Sequence, residues 1–92
     1  MAEEEPTPEE LLEQLNRLKV TDLLFTTMST VAQLGFAKLG EEARDLEQAQ
    51  VAIESLRALL SVLEGHAPDE ALRDYRQVVA NLQLAYADAA NG

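Results

Sequence analysis

The sequence predicts an all-α fold, a small helical bundle with a C-terminal antiparallel helical hairpin, a central apolar helix and a short N-terminal helix. Three observations carry this expectation. Apolar residues recur at spacings of three and four from Leu46 to Leu63, and again from Ala71 to Tyr86, which places each set on one stripe of a helix. Helix start signals stand at Thr7-Pro8, at Asp45 and at Pro68-Asp69-Glu70. Gly65 stops one segment only a few residues before the next begins, and so short a turn packs two helices as an antiparallel pair.

The first helix begins where Thr7 can cap, Pro8 suits the first helical position and Glu10 sits three residues after Thr7, as in a capping box. Leu11, Leu12, Leu15 and Leu18 follow at helical spacing over about three turns. The preceding residues 1–6 form an acidic leader without an apolar anchor, a composition expected to stay disordered. A second helix is expected over 21–34. Its inner stripe holds Leu24, Met28, Val31 and Gly35, and its other face carries Thr26, Thr27, Ser29, Thr30 and Gln33. A solvated face normally carries charged residues, so this helix is expected to be buried on more than one side. Gly35 reads either as a C-terminal cap or as a small residue permitting close helix approach. Residues 36–44, with two acidic residues and Gly40, read as a connector with at most one turn of helix.

The third helix opens after Asp45, with Gln48 three residues on. Leu46, Ala49, Ile53, Leu56, Leu60 and Leu63 form a seam of the coiled-coil type. The fourth helix carries Leu72, Tyr75, Val79, Leu82 and Tyr86 along one stripe. The domain is expected over 7–88, with a frayed tail at 89–92.

Seventeen acidic residues against seven basic ones give a net charge of −10. Wrapping a phosphate backbone or docking on an anionic membrane surface needs the opposite sign, so neither nucleic acid nor membrane is an expected partner. The N-terminal residues Met1-Ala2-Glu3-Glu4-Glu5 are the reverse of a secretory signal. The longest uncharged run, 23–37, spans about 22 Å as a helix, short of a roughly 30 Å hydrocarbon core. A cytoplasmic location is expected.

Candidates for chemistry are few. The chain has no cysteine, which removes disulfides and thiolate metal sites. The single histidine, His66, falls in a turn after a helix, where a cation suits the last carbonyls. Glu41, Glu42, Asp45 and Glu47 lack the alternating oxygen spacing of a calcium loop. Glycines are scattered singly, so no phosphate-cradling loop is present, and no histidine is placed to activate Ser29, Ser55 or Ser61. The reading is of a protein that is not an enzyme, with no cofactor, no metal and no catalytic residue. Tyr75 and Tyr86 read as core or interface side chains with the hydroxyl at the edge.

Phe25, Met28-Ser29 and Leu34-Gly35, then Asp45-Leu46, Ala49, Ile53, Leu56, Leu59, Leu63 and Gly65, then Leu82 and Leu84-Ala85-Tyr86 resemble a small bacterial family known as domain of unknown function 1844. The resemblance covers residues 20–88 and lies in order and spacing. Two loops depart from it: the connector before Asp45 is shorter, and His66-Ala67-Pro68 replaces a Thr-Pro-type cap. The resemblance implies a compact cytosolic helical protein of bacteria and assigns no catalytic residue.

A monomer of this size buries only about 60–65% of the surface its unfolded chain exposes, and oligomerisation is a common remedy. Leu23, Leu24, Phe25, Met28, Val31, Leu34 and Phe36 exceed one stripe of a lone helix. The expectation is therefore an interaction protein that associates with itself, as a dimer. Its interface candidates are Leu24, Phe25, Met28, Val31 and Phe36, with Ile53 and Leu60 on the third helix. The alternative is an acidic adaptor or inhibitor that binds a basic protein partner.

Overall fold

A computed structural model describes residue 5 and residues 7–92. Apart from Glu5, the expected leader lies outside the described residues. Four helices form the described chain: α1 (Pro8–Arg17), α2 (Val20–Ala37), α3 (Leu46–Leu63) and α4 (Asp69–Asn91). The described residues contain no strand, and the architecture is the expected all-α bundle.

The caps explain where the helices start. The Glu10 backbone N–H donates to Thr7 Oγ1 at 3.2 Å, and the Thr7 backbone N–H donates to Glu10 Oε1 at 2.9 Å. This reciprocal pair is the expected capping box. The Gln48 N–H donates to Asp45 Oδ1 at 3.1 Å and opens α3. At the other end, Gly65 takes φ +86°, a left-handed conformation that a Cβ would disfavour. Pro68 is the N-cap of α4 rather than its first helical residue.

Helix α2 runs past the expected end, because Gly35 is a contact point and not a cap. A Cβ at Gly35 would stand 2.9 Å from Ala52 Cβ and 3.2 Å from Leu82 Cδ2. The missing side chain thus lets α2 approach α3 and α4 together. Phe36 and Ala37 remain helical, and the chain then turns through Lys38–Gly40. Leu39, expected in a connector, is buried in the core. Arg44 ties this segment down, donating to the carbonyls of Leu39 at 3.1 Å and Ala89 at 3.4 Å. Helix α4 continues through Asn91, so residues 89–91 are helical where fraying was expected.

Helix α3 packs against both α2 and α4, and α2 also touches α4. The α3–α4 hairpin with α2 across it is the expected arrangement. Met28, Leu56, Leu63, Leu72 and Leu82 are the largest fully buried side chains. Tyr75 joins α4 to α2. Its hydroxyl donates to the Phe25 carbonyl at 3.0 Å and lies 2.7 Å from Ser29 Oγ, with its ring 5.3 Å from that of Phe25. Every buried side-chain N or O among the described residues is hydrogen-bonded.

Helix α1 stands apart. It packs against no other helix, and none of its residues is buried. The radius of gyration, 17.1 Å, exceeds the roughly 12 Å of a compact chain this long.

Candidate interaction surface

The outward face of α2 is made by Leu23, Thr27, Thr30 and Leu34, spaced four, three and four apart. They lie on one stripe of the helix, turned away from Met28, Ala32 and Gly35. All four are exposed, with Leu23 at 60% and Leu34 at 57%. Asp22 is the one charged side chain within α2.

The two threonines make this face less polar than their hydroxyls suggest. Thr27 Oγ1 donates to the Leu23 carbonyl at 2.9 Å, and Thr30 Oγ1 donates to the Thr26 carbonyl at 3.2 Å. A hydroxyl bonded back to its own helix has its donor satisfied. Covering it with another surface therefore avoids most of the penalty for burying a polar group. What these residues offer a neighbour is a methyl group each.

Beside this stripe a groove of about 180 Å³ runs between α2 and α3. Gly35 and Ala52 line it where the missing side chain lets the two helices come close, and Val31 and Leu34 flank them on α2 with Val51 and Ser55 on α3. Lys38 and Gln48 add polar groups to its lining. An enclosed apolar cavity of about 150 Å³ accepts a benzene ring, so this space is of the size for one branched aliphatic side chain.

Leu11, Leu12 and Leu15 on α1, with Leu18 at its C-cap, form a second apolar surface, each between 47% and 64% exposed. Val20 and Phe36 are also exposed, at the two ends of α2. Among the described residues, eight of the eleven exposed large apolar side chains lie between Leu11 and Phe36.

The expected interface residues divide. Met28 is fully buried, and Ile53 and Leu60 are 4% and 7% exposed, so all three are core side chains of the single chain and not an interface. The correction has a geometric cause: the stripe of α3 that carries Ile53 and Leu60 faces α2 and α4 of the same chain. Leu24, Phe25 and Val31 are half-buried against that core, and Phe36 is exposed. The outward pair Leu23 and Leu34 belonged to the expected apolar surplus but not to the expected interface. Val51 was missed because its position beside the α3 seam does not reveal whether another helix covers it.

His66 is exposed in the α3–α4 turn. Ser29 Oγ meets Tyr75 and the Phe25 carbonyl. Among the described residues, no three His, Cys, Asp or Glu side chains gather to hold a metal ion. Among the described residues, no helix is long and apolar enough to cross a membrane.

No family model, no curated protein and no solved structure matches the chain.

Proposed function

We propose that this chain is a non-catalytic cytoplasmic interaction protein that associates with its own kind, as a dimer, through apolar helix faces. The observation that carries the reading is the outward face of α2, where two exposed leucines flank two threonines whose hydroxyls bond back to their own helix. The exposed leucines of α1 extend the same kind of surface. Large contiguous apolar patches on soluble monomers mark contact sites. Kinship with domain of unknown function 1844 is part of the proposal and rests on residue order and spacing alone.

The test is Leu34→Glu, measured by light scattering after size exclusion. Leu34 is 57% exposed, so the variant should keep its helical circular dichroism and run as a monomer at concentrations where the parent chain is a dimer. A Leu34→Glu protein that retains the parent mass would remove this face from the interface.

A further inference from the structure

Self-association, as proposed above, leaves open which surfaces meet. We infer that two copies pair α2 against α2, antiparallel about a two-fold axis, and that the α1 of each copy lies across the α2–α3 groove of the other, with one of its leucine side chains in it. The inference rests on the self-association reading and adds its geometry.

The first part follows from the spacing of the outward stripe. A two-fold contact is self-complementary: if residue i meets residue j, then j meets i. Antiparallel pairing centred between Thr27 and Thr30 sets Leu23 of one copy against Leu34 of the other, and Thr27 against Thr30. Every exposed member of the stripe then meets another member. Leucine meets leucine, and threonine methyl meets threonine methyl. No charge is buried, because the stripe has none.

The second part follows from length. The groove begins at Val31 and ends by Lys38, roughly 16 to 27 Å along α2 from Val20 at 1.5 Å per residue. Helix α1 joins α2 through Leu18 and Lys19 alone. Folded back on its own α2, it would carry Leu11 only about 11 Å from the link. Its leucines fall short of the groove in their own chain. Antiparallel pairing removes the difficulty, because it brings the N-terminal end of one α2 beside the C-terminal end of the other, where that copy's groove lies.

Interface size points the same way. The α2 stripe is only about 17 Å long and one helix, about 10 Å, wide. A stable pair usually buries about 800 Å² on each partner. Seating four leucines of each arm on the opposite copy supplies apolar area that the α2 seam lacks, and it gives a ten-residue helix the packing that so short a helix needs in water.

The chain has no cysteine, so introduced thiols report cleanly. Leu15→Cys combined with Val51→Cys should give, on mild oxidation, a disulfide-linked dimer on a non-reducing gel. Both positions are exposed, at 64% and 49%, so neither change threatens the core. In parallel, Leu15→Glu should weaken the dimer by about a hundredfold or more, as expected for losing one buried leucine on each of the two arms, with helical content retained. A parent chain that is monomeric at all concentrations would sink both the self-association reading and this inference. A parent dimer whose mass withstands Leu15→Glu, without the 15–51 link, would overturn the inference alone. Loss of the dimer in Leu15→Glu without that link would place α1 elsewhere and also overturn it.

Discussion

Thr27 and Thr30 show how a residue type can mislead about a surface. Threonine reads as polar in a composition, yet both hydroxyls are spent on the preceding turn of their own helix. Gly35 is the converse, a residue of little apparent weight on which two helix contacts depend. Gly35→Ala should destabilise the fold by about 1–2 kcal/mol. The overpacking against Ala52 Cβ outweighs the roughly 1 kcal/mol that alanine gains over glycine within a helix. Thermal unfolding followed by circular dichroism should show a fall of several degrees, and an unchanged or higher midpoint would contradict the close approach. Met28 and Leu34 make a second contrast, six residues apart on one helix. Met28→Glu buries an unpaired charge, at a penalty of several kcal/mol against a total of about 5–15, and should abolish helical circular dichroism at room temperature. Leu34→Glu should leave it intact. If Met28→Glu stayed folded, the assignment of Met28 to the core would be wrong.

At the scale of elements, the start of α1 and both ends of α3 were legible because each rests on a specific local device. Thr7 with Glu10, and Asp45 with Gln48, are side-chain bonds to particular backbone groups, and Gly65 answers a demand for positive φ. The end of α2 was not legible, since Gly35 fits a cap and a close contact equally well and only the neighbouring helices decide between them. The same ambiguity hid the interface. Nearly every residue of α2 is uncharged, so periodicity gives the angle between its stripes without saying which stripe meets α3. Met28 was therefore expected at an interface that Leu23 and Leu34 are better placed to form. The α1 arm offers a test at this scale. Thr7→Ala removes the capping acceptor and should weaken α1 by about 1 kcal/mol. Because α1 packs on no helix of its own chain, the unfolding midpoint of the α2–α4 body in dilute solution should barely move, while self-association should weaken. A large fall in that midpoint would show that α1 supports the body after all.

At the scale of the molecule, α2, α3 and α4 form a packed body and α1 extends from it. An extended arm with exposed leucines is costly to leave in water and gains by covering. The net charge of −10 opposes close approach of two copies, so raised salt should favour the dimer slightly, by screening that repulsion. Binding to a basic partner would respond in the opposite sense, since salt weakens attraction between unlike charges. The most direct measurement is therefore the solution mass of the parent chain by light scattering after size exclusion, across a range of concentration and salt. The account predicts a species of twice the 10.1 kDa chain mass, retained or strengthened at high salt. A folded species of 10.1 kDa at every concentration and salt would contradict it, and would leave the acidic surface and a basic protein partner as the reading to pursue.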